Sequence, residues 1–323
     1  MLATAEGTAR YADRFPEFRS AAFYRTVGDL TVSSLGIGTY LGVSTEALLA
    51  AAAHGINFFD TAINYQQQQS ERSIGEALQE LQRDEIVVCT KAGFLTKGAL
   101  PVLAKDDVVG GMHSMAPDFL GDQIERSRAN MRVDTIDVFY LHNPETQLGF
   151  RARDDFDQRV RRAFAKLEDL AAQRKIRWYG AATWDGFRKK GSLSLARLAQ
   201  IAHEEGGAEH HFRFIQLPFN LGMVEAFVDR PESVLESAAR LGIVVVASAT
   251  LLQTQAIGNM PDSVRNVLTG LDTNAQRAIQ FTRSTPGISV ALVGMSQTGH
   301  VLENIGVARV PPASRQDYLR LYR

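Results

Sequence analysis

The chain has 323 residues, of which 45% are hydrophobic and 22% are charged, and its formal net charge is −1 at pH 7. This length is ample for a full hydrophobic core, and a charge near zero gives no reason to expect a nucleic-acid or anionic membrane partner. The first 18 residues lack the apolar run of a signal peptide, and no segment approaches the roughly 20 apolar residues of a membrane helix. We therefore expect a cytoplasmic protein with no nucleic-acid and no membrane partner, and its oligomeric state is left open.

The amino-terminal part is predicted to be a loosely ordered extension over residues 1–20, followed by a β-hairpin. Residues 22–25 and 30–33 flank Gly28-Asp29, a pair that is typical of a tight turn.

From residue 34 onward, short apolar runs alternate with amphipathic runs of helical spacing. The pattern predicts strands at about 34–38, 57–60, 86–90, 137–142, 176–181, 214–217, 242–248 and 288–293. It predicts helices at about 44–54, 70–81, 118–131, 156–173, 193–205, 233–241, 273–284, 298–305 and 312–321. Eight strand–helix units indicate parallel strands and an α/β fold, a closed (β/α)₈ TIM barrel with extra carboxyl-terminal helices, formed by residues 1–323 as one domain. The alternative is an open doubly wound sheet, but residues 36–42 lack the G-x-G-x-x-G turn that usually follows its first strand.

Three of the predicted strands end on a polar side chain that can take part in proton transfer. They end at Asp60, Lys91 and His142, and Tyr65 stands in the loop after the first of them. In a barrel these ends meet at the carboxyl-terminal face, where catalytic residues lie. Each residue alone has a structural interpretation, but a lysine and a histidine that both end apolar strands would be desolvated without a partner. Cys89, the only cysteine, lies inside a predicted strand and is interpreted as a core residue.

These residue types suit proton donation to a carbonyl oxygen. A free tyrosine has a pKa of about 10, and a neighbouring ammonium lowers that value by stabilising the phenolate. A carboxylate beside the lysine holds the ammonium charged, and a histidine can orient the carbonyl by a hydrogen bond. We therefore predict Asp60, Tyr65, Lys91 and His142 as catalytic residues, and we predict no metal site.

The sequence resembles the aldo-keto reductase superfamily over about residues 22–310. The segments that carry the resemblance are 24–28, 34–39, 55–65, Ser70-Glu71, Gly75, Thr90-Lys91, Leu141-His142 and 303–306. The resemblance implies hydride transfer between NADP(H) and a carbonyl or alcohol substrate (an aldehyde, a ketone or a sugar), with NAD(H) as the alternative cofactor. It implies that Tyr65 is the general acid/base, Lys91 its partner, Asp60 the partner of Lys91, and His142 the carbonyl-orienting residue. The branch that is most similar includes bacterial aldo-keto reductases and potassium-channel β subunits.

The cofactor contacts that we predict lie at the ends of several strands and in the segment after the last strand. A phosphate site is expected after that strand, near the start of a short helix. The predicted contacts are Gly38, Thr39, Thr183, Gln216, Ser248, Gly294, Ser296, Gln297, His300, Glu303 and Asn304.

The sequence departs from the family pattern at several of these positions. Gly294 and His300 stand where many relatives have a cation for the 2′-phosphate, and Ala182-Thr183 replaces a Ser-Asn pair. Residues 247–251 lack the aromatic that stacks on the nicotinamide, and four glutamines, Gln66 to Gln69, replace glycines. These differences predict weaker or altered cofactor contacts.

The substrate is expected to contact the loops 40–43, 93–117, 143–154 and 184–190, with Tyr40, Phe94 and Trp184 as the predicted contacts. Two interpretations of Arg151 and Arg153 are open: contacts to a carboxylate or a sugar and, as the preferred one, a solvated surface. Two alternatives to a catalytic reductase remain. One is a slow-turnover, cofactor-sensing binding protein of the channel β-subunit type. The other is a lyase or isomerase in which Lys91 forms a Schiff base with the substrate. An adjacent Asp60 would oppose this reaction, because it keeps the lysine charged.

Overall fold

The computed structural model describes residues 1–96, 103–258 and 260–322. Ten strands are present in this part of the chain: β1 (Tyr24–Val27), β2 (Leu30–Ser33), β3 (Leu35–Gly38), β4 (Phe58–Asp60), β5 (Val87–Ala92), β6 (Ile136–His142), β7 (Ile176–Ala182), β8 (Phe212–Pro218), β9 (Val244–Ser248) and β10 (Ile288–Gly294). The described α-helices are α1 (Ala5–Asp13), α2 (Thr45–Ala53), α3 (Gln69–Ala77), α4 (Pro117–Met131), α5 (Arg153–Ala172), α6 (Leu195–Gly206), α7 (Glu225–Val228), α8 (Val234–Leu241), α9 (Gln255–Gly258), α10 (Asp262–Val267), α11 (Asn274–Ser284), α12 (Thr298–Asn304) and α13 (Arg315–Leu319). No helix within these residues is long and apolar enough to cross a membrane.

The eight strands β3 to β10 are parallel and close into a barrel. Neighbours along the chain are neighbours in the barrel, and β10 pairs with both β3 and β9 to complete the ring. β1 and β2 form the separate antiparallel hairpin. The predicted (β/α)₈ fold and the hairpin are therefore confirmed.

Side-chain caps fix where several helices begin. Ser44 accepts a hydrogen bond from a first-turn N–H of α2, as the sequence predicts. Ser233 and Thr273 form reciprocal capping boxes, with Glu236 in α8 and Gln276 in α11 respectively. Such local signals explain why the predicted helix starts agree with the structure within a few residues.

The barrel has two apolar layers. A large layer lies between the strands and the helices, and a smaller one fills the barrel interior. The interior layer includes Val27, Leu30 and Val32 of the hairpin together with strand residues such as Phe58 and Val138. The hairpin thus packs against the inward-facing strand residues, and the opposite, carboxyl-terminal face is left for the loops.

The prediction that residues 1–20 form a loosely ordered extension is wrong for most of that segment. Thr4 caps α1, and Tyr11 and Phe18 are buried. The Tyr11 hydroxyl donates a 2.5 Å hydrogen bond to the carbonyl of Ala52, and Arg14 forms an ion pair with Glu85. These partners lie far along the chain, so the amino-terminal sequence alone does not indicate that the segment is packed.

Candidate active site

Strand alternation places three predicted catalytic side chains inside the barrel mouth. Side chains two residues apart in a strand share a face. On β5 the interior layer contains Val87 and Cys89, so the next inward position is Lys91. On β6 the same spacing leads from Tyr140 to His142. The predicted core position of Cys89 is confirmed, and burial raises the pKa of its thiol well above the usual value.

Asp60 and Lys91 form a buried ion pair at the end of adjacent strands. Lys91 Nζ lies 2.6 Å from Asp60 Oδ1, and it also donates to the carbonyl of Thr61 at 2.7 Å. The second carboxylate oxygen of Asp60 accepts a 2.8 Å hydrogen bond from Gln216 Nε2. Burial lowers the pKa of Lys91, but Asp60 and Tyr65 together offset this effect and the pKa lies above its usual value. The lysine is therefore a fixed cation, with Asp60 held between two donors.

Tyr65 lies over this cation, in the loop after β4 and at the start of a short 3-10 turn. Lys91 Nζ is 5.2 Å from the centre of the Tyr65 ring, and the His142 ring meets the Tyr65 ring edge-on at 5.7 Å. Burial raises the pKa of the Tyr65 phenol, although Lys91 acts in the opposite direction. The expected net lowering of this pKa is therefore absent here, because desolvation outweighs the lysine. Tyr65 is protonated at neutral pH and can act as a proton donor.

His142 is a neutral imidazole at the bottom of the mouth. Burial, with further contributions from Lys91 and His113, lowers the pKa of His142 well below its usual value. Its ring also meets Phe94 edge-on at 5.1 Å. Within the described residues Nδ1 is buried without a hydrogen-bond partner. A neutral ring with unused hydrogen-bonding capacity suits contact with a polar atom of a bound molecule.

His113 supports His142 from behind and was not identified from the sequence. Its Nε2 lies 2.8 Å from the carbonyl oxygen of His142, which can only accept, so Nε2 carries the proton. Its Nδ1 then accepts from Gln147 at 3.2 Å. Burial lowers the pKa of His113 to about 4. Gly93 is required at this contact, because a Cβ there would lie 2.6 Å from His113 Nε2. No motif marks these residues, since the loop of His113 meets β6 only in three dimensions.

A cavity of about 780 Å³ opens above the four residues. Asp60, Tyr65 and His142 line it, while Lys91 is buried beneath them. The predicted substrate contacts Tyr40, Phe94 and Trp184 also line it. The geometry thus brings a proton donor, a neutral imidazole and an apolar wall to one cavity. The predicted substrate loop 93–117 lies partly outside the described residues, since 97–102 are not among them.

The predicted cofactor residues divide into two groups. One group lines the same cavity and consists of Gly38, Thr39, Thr183, Gln216, Ser248, Gly294 and Ser296. The other group, Gln297, His300, Glu303 and Asn304, is not part of that lining. Gln297 and His300 are exposed around the start of α12, whereas Asn304 is buried at its end. The Oδ1 of Asn304 has no hydrogen-bond partner in the described structure.

The segment after β9 forms a wall of the cavity that the sequence did not predict. Residues 249–255 all line the cavity. Ala249, Leu252, Gln253 and Thr254 have positive φ values of 45° to 73°, a backbone region that non-glycine residues rarely adopt. The buried Oγ1 of Thr250 has no partner among the described residues. An elongated ligand with amide and hydroxyl groups would find polar contacts along this wall as well as at Thr183, Ser248 and Gln216.

Comparison with known proteins identifies the family. The sequence model described as "Aldo/keto reductase family" matches residues 43–321. The NADH-specific methylglyoxal reductase of Escherichia coli (strain K12) is 28% identical over 185 residues, and this match covers 53% of the chain and about half, 54%, of that relative. A putative voltage-gated potassium channel subunit beta of Schizosaccharomyces pombe is 24% identical over 314 residues, which cover 85% of the chain and 84% of the relative.

Solved structures agree on the fold. The crystal structure of an aldo/keto reductase from Klebsiella pneumoniae in complex with NADP and acetate has a TM-score of 0.67, with 20% identity and 91% of each chain covered. Since the family match spans most of the sequence and the structural match spans the barrel, the chain belongs to the aldo-keto reductase family.

Proposed function

We propose that the protein is an oxidoreductase that transfers a hydride between NADP(H) and a small carbonyl or alcohol substrate, with Tyr65 as general acid/base. The observation that supports this most directly is the buried Lys91–Asp60 pair beneath Tyr65, beside a neutral His142, at the floor of one cavity. Family membership supports the reaction class.

The chain's own residues would act on the substrate oxygen. A bound nicotinamide cofactor supplies the hydride that reduces the carbonyl carbon. The Tyr65 hydroxyl donates its proton to the carbonyl oxygen, and the proton is replaced from solvent through the open cavity. Lys91 stabilises the phenolate that remains, and Asp60 keeps Lys91 charged and in place. His142 donates a hydrogen bond to the same carbonyl oxygen and orients it. Oxidation of an alcohol uses the same groups in reverse.

The residues suit a dinucleotide, but the segment after β10 offers a weak 2′-phosphate site. Between Gly294 and Asn304, His300 is the only side chain that can carry a positive charge, and it is exposed. A neutral histidine is a poorer anion partner than arginine. We therefore expect NADPH to bind less than about tenfold more tightly than NADH, which corresponds to under about 1.4 kcal/mol. The Escherichia coli relative is an NADH-specific methylglyoxal reductase, whereas the Klebsiella pneumoniae structure is a complex with NADP.

The deciding experiment compares the wild type with Tyr65→Phe. Fluorescence titration with NADPH and NADH measures cofactor affinity, and NADPH consumption with a simple aldehyde measures turnover. We expect micromolar binding in both proteins, and a loss of turnover by at least about a hundredfold in the variant, because general acid catalysis contributes about 10²–10⁴-fold. Equal turnover in the two proteins would rule out the role of Tyr65, and absence of binding by both cofactors would rule out the reductase function.

A second candidate is a slow-turnover, cofactor-sensing protein. The match over 85% of the chain to a potassium channel subunit favours it, as does the absence of a side-chain donor at Ala182. It predicts tight cofactor binding with turnover that stays slow for every aldehyde tested, whereas the reductase function predicts repeated turnover.

A further inference from the structure

A second cavity, of about 830 Å³, lies next to the catalytic one. Asn143 and Trp184 line both cavities, so the two are contiguous past these side chains. Trp184 is 44% exposed and leaves this boundary open to solvent. We call the second cavity the side cavity. Its walls come from the loop after β6, the start of α5 and the loop after β7.

The side cavity is rich in positive charge, although the whole chain has a net charge of −1. Its lining contains the four cations Arg151, Arg153, Lys189 and Lys190 and the two carboxylates Glu145 and Asp185. The lining therefore has an excess of two positive charges. Cations gathered in a concave site raise the local concentration of anions.

Two of the four cations are already neutralised by carboxylates. Arg151 pairs with Asp106 at 2.7 Å, and Lys189 pairs with Asp185 at 2.6 Å. Within the described residues, Arg153 and Lys190 have no carboxylate within the 4.0 Å limit of an ion pair. Arg153 instead donates to the carbonyls of Gly191 and Ser192, at 2.6 and 2.7 Å. These two hydrogen bonds fix the guanidinium beside the segment that carries Lys190.

Other groups around the side cavity include a helix start that adds to this field and carboxylates that partly offset it. α5 begins at Arg153, and Ala152 at its N-cap position makes no side-chain hydrogen bond to the first turn. Asp154 and Asp155 lie in that turn and do not line the cavity, but Asp155 Oδ2 lies 3.6 Å from Nε of the lining residue Arg151. One Glu145 oxygen accepts from the N–H groups of residues 184–186, at 2.7 to 3.2 Å. Burial raises the pKa of Glu145, although these donors oppose that change.

We propose that the side cavity binds an anionic group, such as a carboxylate, on the far end of the substrate whose carbonyl is reduced at Tyr65. Arg153 and Lys190 bind the anion while the substrate chain passes Trp184. This inference rests on the proposed reductase function and narrows the substrate class to oxo acids and related anionic carbonyl compounds. Arg151 and Arg153 are thus part of a cavity wall, and not simply of a solvated surface.

The test uses linear ω-oxo carboxylates of increasing chain length together with their neutral methyl esters. Both members of each pair carry the same aldehyde, so the ratio of their kcat/KM values isolates the effect of the charge. We expect the carboxylate to be preferred by about tenfold at the chain lengths that reach the side cavity, as is typical of charge-assisted hydrogen bonds in a partly exposed site. This preference should shrink as salt is added, since exposed charges are screened.

Variants then assign the preference to named residues. Lys190→Gln and Arg153→Gln should each reduce the preference several-fold, and Arg153→Lys, which keeps the charge, should retain most of it. Arg162→Gln is the matched control. Arg162 is exposed on the same helix, nine residues or about 13 Å further along, so its removal should leave the preference intact.

The outcomes separate this inference from the proposed function. If the methyl esters are reduced but no chain length favours the carboxylate, the anion site is refuted and the reductase function stands. If Lys190→Gln lowers kcat/KM equally for both members of a pair, the anion site is also refuted. If neither member of any pair is reduced while cofactor still binds, both the reductase function and the inference that rests on it fail.

Discussion

Replacing Lys91 by methionine tests whether the ion pair is required for stability as well as for catalysis. Methionine replaces the apolar part of the lysine side chain but leaves the Asp60 carboxylate without its cation. Asp60 is 4% exposed, so water cannot readily replace Lys91. Loss of one partner of a buried ion pair typically costs about 3–5 kcal/mol. The hydrogen bond from Gln216 remains and places the expected loss near the lower end, at about 3 kcal/mol.

The matched control is the double variant Asp60→Asn/Lys91→Met. Asparagine keeps an oxygen that can accept the Gln216 hydrogen bond but carries no charge, so the double variant should recover about 1–2 kcal/mol. Urea unfolding at pH 7 measures the free energies. Both variants should lose most of their reductase activity, because each lacks the ammonium beneath Tyr65. Equal free energies of unfolding for the single and double variants would show that no uncompensated charge is buried at Asp60, and the reasoning would be refuted.

Three further predictions concern the surroundings of the site. Burial holds the pKa of His113 at about 4, below the ordinary value of about 6.5. The folded protein therefore favours the neutral imidazole, and the stability that this contributes is complete above pH 6.5 and is lost as the pH falls towards 4. His113→Gln should reduce the pH dependence of unfolding across this window by up to about 3 kcal/mol; an unchanged slope would contradict the assignment. Gly93→Ala should lower kcat/KM at least about tenfold, because the added Cβ would push the His113 ring away from the His142 carbonyl. Unchanged kcat/KM in this variant would show that the contact between His113 and His142 is not required. Gln67 has a φ of 53°, a backbone region that glycine adopts without strain. In thermal unfolding, Gln67→Gly should therefore be more stable than Gln67→Val by about 1 kcal/mol or more. Equal stability of the two variants would mean that this backbone conformation is not strained.

The barrel and the polar side chains at its mouth could be predicted because both depend on local patterns. Strand alternation and the residue at each strand end place Asp60, Lys91 and His142 on the inner face once a barrel is assumed. The Ser70-Glu71 motif shows the limit of such reasoning. Ser70 donates to the carbonyl of Thr39, and Glu71 accepts from Thr90 and Asn130. These residues tie α3 to its neighbours, a role that only the three-dimensional structure displays.

The features that were missed depend on contacts between distant parts of the chain. In the amino-terminal segment, Phe18 is buried where Gly55 leaves room for it; a Cβ at Gly55 would lie 2.8 Å from that ring. Glu145 binds three backbone N–H groups about 40 residues away, and nothing in its own sequence neighbourhood marks this role. Arg153 and Lys190 likewise line one cavity only when the start of α5 meets the loop after β7.

The cavity wall after β9 could compensate for one departure from the family pattern, the alanine at position 182. Ala182 is buried and offers no side-chain donor. The carboxamide of a bound nicotinamide would therefore depend on Thr183 and on the side-chain oxygen of Gln216, since the amide nitrogen of Gln216 already donates a hydrogen bond to Asp60. Across the same cavity, residues 249–255 supply the hydroxyl of Thr250, which lacks a partner in the described structure, and further amide groups. An unpaired buried hydroxyl is costly, and a polar ligand would relieve that cost. Removal of this hydroxyl by Thr250→Val should therefore stabilise the cofactor-free protein and weaken NADPH binding, by up to about 1 kcal/mol each. Titration and urea unfolding of the same variant measure both effects, and unchanged NADPH affinity would mean that this wall does not compensate for the alanine at position 182.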